Sequence, residues 1–205
     1  MTLLPFLIAA TVLAVTPGPG IAYVVARTIS GGRAEGLASC VGTGLGGLIH
    51  VLASALGVSL VIAQSAVAFS LLKYVGAAYL IYLGVRMWLR PSSPSPTEAI
   101  DTQGSRRALL EGIVVETLNI KTALFFLAFL PQFITLDQPL LPQLVMLGCI
   151  CVALNTLVDV IAVLLAHRLI KSKVIRNSNA KIINYVSGSI MVGLGSLLAL
   201  ARRDV

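Results

Sequence analysis

The sequence predicts an all-α membrane protein of about six transmembrane helices, forming two inverted three-helix repeats with helices 1 and 4 interrupted. Two observations carry this. The 205 residues are 57% hydrophobic and 11% charged, with a mean hydropathy of +0.95, which leaves too few polar residues for a soluble exterior. Two apolar stretches are also broken at corresponding places, by Thr16-Pro17-Gly18-Pro19-Gly20 and by Asn119-Ile120-Lys121. Backbone freed from helical pairing inside hydrocarbon costs several kcal/mol per group unless protein or water satisfies it. Paired breaks of this kind are the signature of a transport site.

The apolar segments are residues 3–26, 36–63, 67–88, 112–134, 141–166 and 182–201. Each is long enough to span as a helix. The alternation of a membrane β-barrel is absent. Eleven of the 15 lysines and arginines fall on three alternate loops. Arg27 and Arg33 follow the first span, Arg86, Arg90, Arg106 and Arg107 the third, and Arg168, Lys171, Lys173, Arg176 and Lys181 the fifth. The positive-inside bias puts these loops in the cytoplasm and both termini outside. The exception would be a first span whose broken half fails to cross, leaving five spans and a cytoplasmic N-terminus. A net charge of +7 would suggest nucleic acid in a soluble protein, but here it reports topology. No basic residue precedes the first apolar run, so a cleaved signal peptide is not expected.

Residues 90–107 have a linker's composition, with Pro91, Pro94 and Pro96 among serines. They divide a single transporter domain, 1–205, into halves at 1–89 and 108–205. Three spans per half is an odd number, so the halves run opposite ways, as in an inverted repeat. Gly42-x-x-x-Gly46 in the second span sets small residues on one helix face, where a neighbour can approach closely. Gly188, Ser189, Gly193 and Ser196 in the last span serve either similar packing or a homodimer contact. Cys40, Cys149 and Cys151 all lie in apolar stretches and read as small packing residues rather than metal ligands. No cofactor is expected.

Several polar groups lie at membrane depth. His50 is central in the second span. It is either a satisfied core residue or a proton carrier, since imidazoles change charge near physiological pH. Lys121 is near the middle of the fourth span, where a charge costs at least ~2.5 kcal/mol on insertion scales. It either pairs internally with Glu116 or Asp159, or binds an anionic group. Asp159 follows Asn155 by one turn on the same face of the fifth span. Glu116, nearer the interface, is either simply solvated or functional. In the first break, Pro17 and Pro19 with Gly18 and Gly20 end one helix and free N–H groups at the start of the next. Such a helix start favours carboxylate or phosphate. Pro17, Gly18, Pro19, Gly20, Asn119 and Lys121 are therefore the candidate substrate residues. His50, Asp159, Glu116 and Asn155 are the candidate proton-coupling or polar-pathway residues.

The first break resembles a family motif, as do Gly46-Gly47-Leu48-Ile49-His50-Val51-Leu52-Ala53, Gly76-Ala77-Ala78-Tyr79-Leu80-Ile81-Tyr82-Leu83-Gly84 and Asn119-Ile120-Lys121 through Leu130-Pro131-Gln132-Phe133. Together they resemble the bacterial LysE/RhtB amino-acid exporters over essentially the whole chain. The resemblance implies a multi-pass exporter of amino acids or their derivatives in the cytoplasmic (inner) membrane, driven by the proton-motive force. Its partners would be the amino-acid substrate, protons and membrane lipid, and not nucleic acid. Two positions depart from the family pattern: Gly20 stands where the family has asparagine, and Ile120 where it has proline. The second departure leaves the fourth span freer to stay helical.

A small ion or solute channel is the alternative, but no filter-like loop or ring of like polar residues is visible. A membrane enzyme would need a nucleophile or metal constellation, which one histidine in a span does not supply. No nucleotide-binding loop is present.

Overall fold

The computed structural model describes residues 3–64, 66–89 and 104–171, and near the C-terminus 185, 189, 192–196 and 198–200. The linker at 90–103, the basic positions Lys173, Arg176 and Lys181, most of the sixth span, and both ends of the chain lie outside the described residues. Those described are mostly helical, with no strand among them.

The helices in chain order are α1 (Leu3–Val15), α2 (Pro19–Gln64), α3 (Ala66–Leu89), α4 (Ser105–Thr117), α5 (Ile120–Leu124) and α6 (Leu140–Lys171). A π-helical turn, Phe125–Phe129, and a 3-10 turn, Leu130–Phe133, continue α5. Pro19–Gly57 and Leu140–Arg168 are each long and apolar enough to cross a membrane. Ser105–Thr117 with Ile120–Phe133 makes a third such unit, bent by 46° at its break. α2 is two helices in effect, because Gly32 adopts φ 76°, ψ −173°, a conformation open to glycine and strained for any L side chain. The chain folds back there: a Cβ on Gly36 would overlap the Thr28 hydroxyl, and Val24 shares a buried cluster with Cys40 and Val163.

Both expected breaks are present. The first lies between Val15 and Pro19 and the second at Leu118 and Asn119. Ile120 does not restore continuity, because Asn119 acts as a helix N-cap, accepting from the Lys121 backbone N–H through its side chain. α4 starts at Ser105, so Arg106 and Arg107, assigned to the linker, open a helix. Gly104 ends the linker at φ 83° and donates its N–H to Glu35. Arg27, counted as a loop charge, is only 1% exposed. It pairs with Glu35 and Glu111, and its Nε donates to the Tyr23 hydroxyl. The apolar pattern undercounted these residues because ion pairing, not solvent, satisfies them.

The polarity of the molecule is inverted relative to a soluble protein. Leu52, Leu56, Leu157, Ile161 and Leu165 are exposed, while Thr28, Ser39, Thr43, His50, Ser54, Glu116 and Asp159 are buried. The apolar core joins Phe6, Val51, Leu80, Phe126, Leu147 and Leu198, so it ties α1, α2, α3, α6 and the C-terminal segment around the π turn. Gly42 is where the expected close approach occurs. A Cβ there would overlap the Leu109 carbonyl and stand 3.1 Å from the Gly112 Cα, so backbone of α4 lies directly on α2. Gly195 packs similarly against α3, where a Cβ would stand 2.7 Å from the Ala77 carbonyl, whereas a Cβ on Gly193 would meet no described residue within 4 Å.

Gly42→Ala is expected to lower the detergent melting temperature, since overpacking against backbone costs about 1–3 kcal/mol. Gly57, helical with no atom of another described segment within 4 Å of its would-be Cβ, is the control. Gly57→Ala should be neutral or stabilising by about 0.5–1 kcal/mol. Equal melting temperatures for the two variants would show that α4 does not sit on Gly42.

Candidate functional site

Each break leaves backbone groups without helical partners, and side chains of other helices meet them. At the end of α1 the carbonyls of Leu13 and Thr16 accept hydrogen bonds from Lys121 Nζ at 3.2 and 2.8 Å. The lysine thus caps the negative end of a helix dipole, a favourable place for a cation. Thr16 also donates its hydroxyl to the Val12 carbonyl at 2.6 Å. Glycine at 18 makes the approach possible, because a Cβ there would stand 3.1 Å from Lys121 Nζ. The first break therefore closes on a residue of the second.

The second break is met from α2. His50 Nε2 lies 2.8 Å from the Glu116 carbonyl, and one turn on, Ser54 donates to the Phe126 carbonyl at 2.9 Å. Ser54 thereby satisfies a carbonyl of the π turn. The Glu116 side chain points the other way. Its carboxylate accepts from Asn119 Nδ2 at 3.0 Å and from the Thr122 hydroxyl at 2.7 Å. It also lies against the start of α2, with Oε2 2.8 Å from where a Cβ on Gly20 would stand. Any larger residue at 20 would have to displace this carboxylate.

Between the breaks is a narrow, partly open cleft. Of the sequence candidates, Gly20, Glu116, Asn119, Lys121, Asn155 and Asp159 line it. Pro17, Gly18 and Pro19 form the break behind Gly20, and His50 sits behind Glu116 through its carbonyl. Asp159 is buried and accepts from the Thr43 hydroxyl at 2.8 Å. Asn155 lies one turn before it, with Nδ2 3.7 Å from Cys151 Sγ. Glu116, placed near the interface from sequence, is only 7% exposed.

Neither ion pair considered for Lys121 is made. The ion pairs made among the described residues include those of Arg27 with Glu35 and Glu111 and of Arg107 with Glu111. Sequence reasoning also missed Thr43, Thr122 and Ser54. Ser54 follows His50 by four residues and so shares its helix face, a signal that was available. Thr43 and Thr122 had no such mark. Among the described residues no group of three metal-ligating side chains occurs.

A multi-pass helical membrane protein whose interrupted helices converge on a polar cleft belongs with the membrane translocators. Residues 11–202 match the family described as LysE type translocator. The homoserine/homoserine lactone efflux proteins of Salmonella typhi and Salmonella typhimurium are each 33% identical over 199 residues, covering 96% of this chain and 95% of theirs. An uncharacterized membrane protein of Vibrio cholerae is 32% identical over 201 residues, 97% of each chain. No solved structure matches. The chain is a member of the LysE-type translocator family.

Lys121→Met is expected to destabilise the protein by about 2 kcal/mol, because two carbonyls in apolar surroundings lose a charged donor. Detergent melting curves check this, with Thr156→Val, on the cleft wall, as the control. A melting temperature raised by Lys121→Met would mean that the lysine is held against its desolvation cost for binding rather than for the break.

Proposed function

We propose that the protein is a secondary exporter of amino acids or their derivatives across the bacterial cytoplasmic membrane, driven by the proton-motive force. The observation that carries this reading is the convergence of both helix breaks on one cleft that also holds two buried carboxylates. The substrate sits between the halves, framed by Pro17, Gly18, Pro19 and Gly20 of the first break and by Asn119 and Lys121 of the second. The names of the two Salmonella relatives, homoserine/homoserine lactone efflux proteins, support small polar amino compounds as cargo.

In the proposed cycle the cleft faces the cytoplasm, takes substrate, and reopens outward as one half rocks against the other. Asp159 and Glu116 exchange a proton with the outside when substrate leaves. Asn155 and His50 hold the polar path: His50, donating to the Glu116 carbonyl, couples the position of α2 to that carboxylate. In this topology six spans form two inverted halves, with both termini outside. The basic loops are cytoplasmic.

The test is homoserine uptake into everted vesicles whose proton gradient is set by respiration, with ATP in the outer medium. Transport of homoserine should collapse when an uncoupler dissipates the proton gradient and persist when ATP is hydrolysed away. Persistence with the gradient gone would overturn proton coupling. Asp159→Asn should slow gradient-driven export by at least about tenfold, equivalent to ~1.4 kcal/mol. Cysteine-accessibility labelling should find Asp137 external and Arg33 cytoplasmic, and the reverse pattern would invert the topology.

A further inference from the structure

Resting on the exporter reading, the geometry points to a cleft that recognises the ammonium group of its cargo through Glu116 and Asp159, leaving the cargo carboxylate dispensable. We propose that amines with a masked or missing carboxylate, such as lactones, amides and simple alkylamines, are handled as well as free amino acids.

An α-carboxylate entering the cleft has two natural partners, and the protein itself occupies both. The first is Lys121, whose ammonium donates to the Leu13 and Thr16 carbonyls at 3.2 and 2.8 Å. Releasing it to bind a carboxylate would strip those carbonyls at the broken end of α1. The second is the start of α2, where Gly20 and Ile21 line the cleft and their N–H groups lie in the first turn, without intrahelical acceptors. This positive helix end is faced by the Glu116 carboxylate, with Oε2 2.8 Å from the would-be Cβ of Gly20. A second carboxylate there would meet the first across a few ångströms of apolar surroundings, where like charges repel strongly.

An ammonium meets the opposite situation. Two carboxylates line the cleft, and no cation among the described residues pairs with either. Their partners are neutral donors: Thr122 and Asn119 on Glu116, and Thr43 on Asp159. Those bonds orient the carboxylates and leave acceptor sites on each oxygen. Three ammonium protons can use them as charge-assisted bonds, about twice as strong as neutral ones. Gly44 and Gly47 on one wall leave room for a compact head group. Gly20 is part of the device: without a side chain it lets Glu116 occupy the helix start.

The experiment is counterflow of labelled homoserine in proteoliposomes of the full-length protein, with unlabelled competitors. Homoserine lactone and 3-aminopropanol keep the ammonium and lack a free carboxylate, whereas N-acetylhomoserine and 4-hydroxybutyrate keep the carboxylate and lack the ammonium. The first pair should compete within about threefold of homoserine itself, and the second pair at least about tenfold more weakly. A reversed order, with the carboxylate compounds competing and the amines failing, overturns the ammonium site and leaves the exporter intact. Equal competition by all four also overturns it. No counterflow of homoserine or of labelled lactone overturns the exporter reading together with this inference. The comparison uses the unaltered protein, so it does not depend on whether a Glu116 or Asp159 variant folds.

Discussion

Backbone groups at a helix break have nowhere to turn in an apolar surrounding except to other parts of the protein. Here that constraint is met across the two breaks. Lys121, two residues past Asn119, reaches the carbonyls at the end of α1, and His50 and Ser54 reach carbonyls at the break and π turn that follow α4. Each side chain serves backbone that its own helix does not contain. The end of α1 therefore depends on Lys121 and the second break on α2, and these segments cannot part without exposing carbonyls that cost several kcal/mol each.

The cleft is a consequence of the same arrangement. With the cation committed to α1 and the Glu116 carbonyl committed to His50, what remains facing the open space is carboxylate: Glu116 against Gly20, and Asp159 against Thr43. Close helix contact makes the geometry possible. Gly42 and Gly112 bring α2 and α4 to backbone contact, which sets His50, eight residues after Gly42, at the depth of the break. The pairing of buried Arg27 with Glu35 and Glu111 holds the other end of the same three segments, seven to eight residues from Gly20 and Thr43 along their helices. A polar cluster at one end and a polar break at the other leave the intervening turns to small side chains.

Much of this was legible in the sequence. Proline and glycine at 17–20 interrupt a helix, and Asn119 with Lys121 interrupts an apolar run, so both breaks and the all-helical class followed from residue chemistry. Gly42-x-x-x-Gly46 foretold a close contact without naming α4 as its partner. What stayed hidden were choices among partners. Lys121 had two carboxylates in prospect and took two carbonyls instead, because the helix end it faces is set by tertiary folding, not by spacing. Arg27 looked like a loop charge because Gly32, the residue that makes the reversal, leaves no trace in an apolar average. The role of Glu116 depended on Gly20, a hundred residues away, lacking a side chain.

The central claim is that the space between the two breaks is the path of the cargo. Val152 lines that space, 3.0 Å from the would-be Cβ of Gly47, while Leu157 on the same helix is 56% exposed on the apolar surface. The direct measurement is the rate at which a charged methanethiosulfonate reagent modifies Val152→Cys in a protein whose Cys40, Cys149 and Cys151 are replaced by serine. The account predicts ready modification of Val152→Cys, slowed several-fold by saturating homoserine lactone, and slow modification of Leu157→Cys that the lactone leaves unchanged. A Val152→Cys rate that the lactone does not alter, in protein that still exports it, would contradict the account.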